Sequence, residues 1–181
     1  MIENLLRDVK THLKDTNASI PFPPATESVV RETEVALGFQ IPRFLKKVYL
    51  EIGNGGFGPG YGIIGLQGGY PSDAGTLVEA YNDIKRAAED EDLPWPREYL
   101  PFCEWGCTIF SCVDCANPHG NLYRCEACEL TPVSYTLEEF MRMWMRGASI
   151  LDHDDEPRET KEITNPFTGK KFTVKGGRKK K

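Results

Sequence analysis

Residues 38–62, GFQIPRFLKKVYLEIGNGGFGPGYG, constrain this chain more than any other stretch, because an amphipathic helix there runs straight into a loop dense in glycine. Pro42 suits a first helical turn, where its missing N–H would find no partner anyway. Phe44, Leu45, Val48, Tyr49 and Ile52 recur at helical spacing and form one apolar face, while Arg43, Lys46, Lys47 and Glu51 fill the other. Gly53 is placed to stop the helix, since glycine takes the left-handed conformation without a Cβ penalty.

The glycines raise the question of a phosphate loop. Gly60-Tyr61-Gly62-Ile63-Ile64-Gly65 matches G-x-G-x-x-G, and Glu79 lies roughly where a ribose-binding acid would be sought. That motif works only when a strand precedes the glycines and a helix opens on them, so that the helix N-terminus faces the pyrophosphate. Here Asn-Gly-Gly-Phe-Gly-Pro precedes Gly60 and Leu-Gln-Gly-Gly-Tyr-Pro-Ser follows Gly65, so neither flank fits. No Gly-Lys-Ser/Thr occurs either. The segment 61–66 reads instead as a short strand leaving a loop.

A chain of 181 residues is long enough to build a core without disulfide staples. It holds no apolar run near 18 residues, so no transmembrane helix is expected. Residues 1–15 carry charges throughout and lack the apolar region of a secretory signal. Six cysteines without an export signal point to a reducing cytoplasm, with thiols free or metal-bound. The net charge of −5 hides an asymmetry: residues 158–181 hold nine Lys/Arg and two Asp/Glu, leaving −12 on residues 1–157. Such a body repels nucleic acid and attracts basic partners, and no direct nucleic-acid partner is expected of the chain. The basic tail reads as a solvated end.

The element order is α+β. A helix over 3–15 presents Leu5, Leu6, Val9 and Leu13; a proline-rich connector at 21–24 completes an N-terminal segment of residues 1–25. Thr26 caps a helix over 27–37 that ends at Gly38, and the 42–52 helix follows. Ser72 or Asp73 is the expected cap of the next helix, with Leu77, Ala80, Tyr81, Ile84 and Ala88 inward. Residues 108–114 and 121–125 read as a strand hairpin. Thr136-Leu137-Glu138-Glu139 is a capping box for a last helix that buries Phe140, Met141, Trp144 and Met145. Residues 167–174 suggest a final hairpin through Thr168-Gly169. The expectation is one domain over 26–157, with a mixed or antiparallel central sheet flanked by helices, and a basic extension over 158–181.

Gly38-Phe39-Gln40-Ile41-Pro42, then Tyr49 and Asn54-Gly55-Gly56, resemble the signature of the SUKH superfamily, the Smi/Knr-like domains. Leu100-Pro101-Phe102 and Trp105-Gly106-Cys107, followed by a strand ending at Asp114, resemble its second block, so that the likeness spans roughly residues 26–145. The cysteine-rich hairpin after Asp114 and the basic tail lie outside it. The resemblance implies a non-enzymatic binding protein: many bacterial members are similar to immunity proteins that occlude polymorphic toxins, often nucleases, and fungal members are regulatory scaffolds. An acidic body independently suits capture of a basic nuclease. Glu89, Asp90, Glu91 and Asp92 are the candidate contact carboxylates, with a solubilising helix end as the alternative.

Cys112-x2-Cys115 and Cys125-x2-Cys128 are separated by nine residues across a turn at 117–120. Thiolates on neighbouring hairpin ends could close a tetrahedral, structural zinc site. Against that, Cys112 lies in an apolar strand where cysteine serves as a small buried hydrophobe, and Cys103 and Cys107 read as core thiols of the same kind. The three histidines, His12, His119 and His153, fall in no metal-binding helix motif, and no Gly-x-Ser-x-Gly elbow is present. No catalytic constellation emerges. The runner-up to immunity is a zinc-stabilised regulatory module with another protein partner.

Overall fold

The structure is a computed structural model that describes residues 2–16, 22–118 and 120–151, together with the backbone of two strands at 160–164 and 171–175. The chain divides into two compact units, Met1–Ile150 and Leu151–Lys181. The first helix is part of the larger unit, and the division comes at residue 150 rather than 157.

The larger unit contains α1 (Ile2–Asp15), α2 (Glu27–Leu37), α3 (Arg43–Glu51), β1 (Gly62–Ile63), α4 (Leu77–Asp90), β2 (Tyr99–Gly106), β3 (Ile109–Asp114), β4 (Asn121–Glu126), β5 (Glu129–Thr136) and α5 (Leu137–Met145). The five strands form one antiparallel sheet in the order β1-β2-β3-β4-β5. Helix α1 packs on α3 and α5, α2 packs on α3 and α4, and α4 and α5 meet β2 and β5. Leu5, Leu6, Val9 and Leu13 are buried as their spacing predicts. Thr26 accepts the Val29 N–H at 3.3 Å, and Gly38 closes α2 at φ 76°.

Three expectations shift. Pro42 is the residue before α3 rather than its first turn. Glycines with positive φ after α3 include Gly55 and Gly56 but not Gly53; α3 ends at Glu51, with Ile52 still near the right-handed region. Helix α4 is capped by Thr76, whose N–H is accepted by the Glu79 carboxylate at 2.7 Å; Ser72 belongs to a separate turn closed on Gly75.

The hairpin of β3 and β4 matches its expected bounds closely. Strands β2 and β5 were not expected, and each carries a proline. Pro101 sits at a register shift in β2, and Pro132 lies on the terminal strand of the sheet, the two settings in which a residue without an N–H is tolerated. The capping box at Thr136 and Glu139 forms, with Glu139 accepting the Thr136 N–H at 2.8 Å. Helix α5 buries Met143 besides Phe140 and Met141, whereas Trp144 and Met145 are half-buried.

The smaller unit contains β6 (Thr160–Thr164) and β7 (Lys171–Lys175), a two-stranded antiparallel ladder. The ladder pairs 160–164 with 171–175, so its first strand lies upstream of the expected 167–174 hairpin; Thr168 and Gly169 lie outside the described residues.

Candidate functional site

The loop after α3 is organised around Asn54, which is 5% exposed. Its side-chain oxygen accepts the Leu66 N–H at 2.8 Å, and its amide donates to the Gln67 carbonyl at 3.3 Å. Its backbone N–H reaches the Pro23 carbonyl at 3.1 Å and its carbonyl accepts the Tyr70 N–H at 2.9 Å. One residue, through its side chain and its backbone together, thus ties the proline connector, the glycine loop and the segment leaving β1. Beside it the fully buried Tyr49 hydroxyl donates to the Ile64 carbonyl at 2.7 Å. Burial pushes the Tyr49 phenol well above its ordinary range, so it stays a neutral donor.

Gly55 explains the need for glycine here: at φ 82°, a Cβ would lie 2.6 Å from the Ile63 carbonyl oxygen. Gly60 and Gly62 flank and enter a two-residue strand, and the next helix opens only at Leu77. The G-x-G-x-x-G match therefore has no helix N-terminus above it and cannot cradle a pyrophosphate.

The four paired cysteines form a row rather than a cage. In the β3–β4 ladder Phe110 faces Cys125 and Cys112 faces Tyr123, which makes Cys112 and Cys125 diagonal neighbours. Their thiols hydrogen-bond in the core, where Cys112 is 0% and Cys125 1% exposed. Burial pushes the Cys112 thiol up, whereas the hydrogen bond from Cys112 holds Cys125 down. Cys115 follows the Val113–Leu122 end of the ladder and Cys128 follows the opposite, Ile109–Glu126 end. Four residues of strand, about 13 Å, separate those ends. Thiolates on one zinc ion lie only about 4 Å from each other, given bonds of about 2.3 Å. Cys115 instead reaches the Val113 carbonyl at 3.7 Å and Cys128 the Ile84 carbonyl at 3.8 Å. Among the described residues no group of three or more His, Cys, Asp or Glu side chains is gathered to hold a metal ion. The four-cysteine set does not fit zinc, because an antiparallel hairpin carries the outer members of the two pairs in opposite directions. No disulfide joins any of the six cysteines. Cys103 is a core thiol as expected, but Cys107 is exposed, in the β2–β3 turn.

The acidic charge is segregated. Residues 2–70 carry seven Asp/Glu and seven Lys/Arg, while residues 71–141 carry fourteen Asp/Glu and four Lys/Arg. Glu89, Asp90, Glu91 and Asp92 are all exposed at the end of α4, with Asp92 in the left-handed region at φ 55°. The contact between Cys128 and Ile84 sets the β4–β5 turn against α4, so Glu126 and Glu129, both exposed, belong to the same half of the surface. Those two carboxylates escaped sequence reasoning because β5 did; the Glu-Ala-Cys-Glu between two short apolar runs is the signal that could have marked the turn. Glu104 is different: it is 5% exposed on β2, accepts the Asp73 N–H at 3.2 Å, and burial holds its carboxyl above the usual range. Among the described residues no helix is long and apolar enough to cross a membrane.

No curated protein matches the chain. The model of the SMI1 / KNR4 family (SUKH-1) matches residues 24–143, which is 120 of 181 residues and runs from the proline connector through the sheet into α5. With the Asn54 loop and all five strands of the antiparallel sheet inside that match, the chain belongs to the SMI1 / KNR4 family (SUKH-1).

Proposed function

We propose that this chain is an immunity protein that neutralises a basic toxin domain, of the nuclease kind, by covering it, without catalysis of its own. Family membership carries the reading: the SUKH family is generally of immunity-protein type, typically non-enzymatic, and acts on protein partners. The exposed carboxylates Glu89 to Asp92 at the end of α4 support it, because local charge of one sign raises encounter rates with a partner of the other and selects against like-charged ones. Glu89, Asp90, Glu91 and Asp92 are the contact carboxylates in this reading, joined by Glu126 and Glu129. The cytoplasm is the compartment where a self-protecting partner must act, and the unpaired thiols suit it.

Co-expression with a toxin encoded beside its gene tests the proposal, scored by growth rescue and co-purification. Rescue weakened by charge reversal at Glu89–Asp92 supports it. A well-folded, well-expressed chain that neither rescues nor co-purifies with the adjacent toxin refutes it.

A further inference from the structure

Among the described residues two large hydrophobic side chains stand exposed, Val35 on α2 and Tyr61 just before β1. Tyr61 is the aromatic one, 59% exposed, and its surroundings hold it in place. Its N–H donates to the Glu104 carbonyl at 2.9 Å. A Cβ on Gly106 would lie 2.7 Å from the Tyr61 ring, and a Cβ on Gly60 would lie 2.9 Å from the Trp105 ring. The two neighbouring segments thus set an aromatic ring against a bare glycine in both directions, a device that protects exposed strand backbone. Trp105 is fixed in turn, its Nε1–H donating to the Ser111 hydroxyl at 2.9 Å. Half-buried Trp105 and Ile109, the latter paired with Gly106, continue the ledge beside Tyr61. Covering Gly106 accounts for one side of the Tyr61 ring and leaves the rest in water.

The charges bonded to this ledge are acidic. Glu104, whose main chain holds Tyr61, accepts the Asp73 N–H at 3.2 Å through its carboxylate, and Asp73 is itself exposed. Arg124, opposite Ser111 on β4, is already ion-paired to Glu126 at 2.8 Å. Residues 52–84 and 98–123, which supply the ledge and its flanking loops, contain no Lys or Arg. We propose that Tyr61 is the ring on which an arginine of the partner stacks, with Asp73 as the accompanying carboxylate. This rests on the immunity reading above and adds the chemistry of one contact to it. A guanidinium is planar and weakly hydrated, so it stacks on an aromatic face where an ammonium stays hydrated, and the acidic neighbours favour its charge. A ring already held by packing loses little freedom on docking.

Titration calorimetry against the toxin domain encoded beside the gene tests it, at a temperature where melting curves show every variant folded. Tyr61→Phe keeps the ring and is expected to bind within about twofold of wild type. Tyr61→Leu keeps an apolar cover over Gly106 without the ring and is expected to bind about tenfold more weakly. With each toxin arginine changed to lysine in turn, one change is expected to cost about tenfold against wild type and little against Tyr61→Leu. A purely structural Tyr61 would lower the melting temperature of Tyr61→Leu and leave its affinity unchanged. That result, with wild-type binding intact, overturns this proposal alone, as does Tyr61→Phe binding as weakly as Tyr61→Leu, or no toxin arginine coupled to Tyr61. Failure of the wild-type chain to bind the toxin overturns the immunity reading and this proposal with it.

Discussion

Asn54→Asp is the sharpest probe of how the Asn-Gly-Gly loop is held. The substitution keeps size and shape, and one oxygen can still accept the Leu66 N–H at 2.8 Å. The other replaces an amide donor with an oxygen 3.3 Å from the Gln67 carbonyl oxygen, at a side chain that is 5% exposed. The loss has two parts: one hydrogen bond, about 1 kcal/mol, and a carboxylate and a carbonyl left facing each other without a donor, about 2 kcal/mol more. A loss of about 3 kcal/mol lowers the melting temperature by roughly 6–12 °C in a domain of this size. The deficit must also depend on pH. A carboxyl with no cationic partner in that pocket titrates above its unfolded value of about 3.9, because burial disfavours the charged form. Below the unfolded value both states are protonated, and the acid O–H can donate to Gln67. As pH rises through the folded value the stability is lost, so the gap from wild type is small near pH 4 and full at pH 7. Thermal melts followed by tryptophan fluorescence report on it, since Trp95, Trp105 and Trp144 all lie in the larger unit. A loss below about 1 kcal/mol at pH 7, or a deficit equal at pH 4 and pH 7, refutes the bonding assigned to Asn54.

Four further outcomes are expected. Tyr49→Phe removes the 2.7 Å hydrogen bond to Ile64 and should cost about 1–2 kcal/mol in denaturant titration, because the carbonyl is left buried. The exposed turn residues Cys107 and Thr108 sit at φ 50° and 61°, so Cys107→Asn with Thr108→Gly should raise the melting temperature by about 2–4 °C, through relief of about 1 kcal/mol of backbone strain. Glu104→Gln keeps an acceptor for the Asp73 N–H while removing a buried charge. Since the Glu104 carboxyl is held above its unfolded value, the variant should be the more stable protein at neutral pH, with the advantage fading as pH falls through the folded and then the unfolded value. Elemental analysis of untagged protein should find zinc near zero per chain, and chelators should leave the melting temperature unchanged; one zinc per chain would contradict the row geometry of the cysteines.

Much of the helical half of the fold was legible because its determinants are local. Thr26 and Gly38 bracket α2, and Thr136 with Glu139 opens α5, through bonds spanning only a few residues. The apolar spacing of α1 names its buried side chains directly. Strands β2 and β5 were illegible for the opposite reason. Pro101 and Pro132 weaken any local strand signal, and partner strands supply the ladder that local preference does not. Gly53 does not end α3, because the tight turn that needs glycine comes two residues later, where Gly55 meets the backbone of Ile63 and Gly65.

The sequence by itself determined the helices and their buried faces, the family through the order of its Gly-x-x-Ile-Pro and Asn-Gly-Gly blocks, and the total charge, since each rests on residue type and short spacing. Only the tertiary structure decided what Asn54 is for, because its partners at residues 23, 66, 67 and 70 come together only on folding. It also decided the fate of the cysteines. Two Cys-x2-Cys pairs look alike along the chain, but antiparallel pairing brings Cys112 to Cys125 and sends Cys115 and Cys128 to opposite ends of the hairpin.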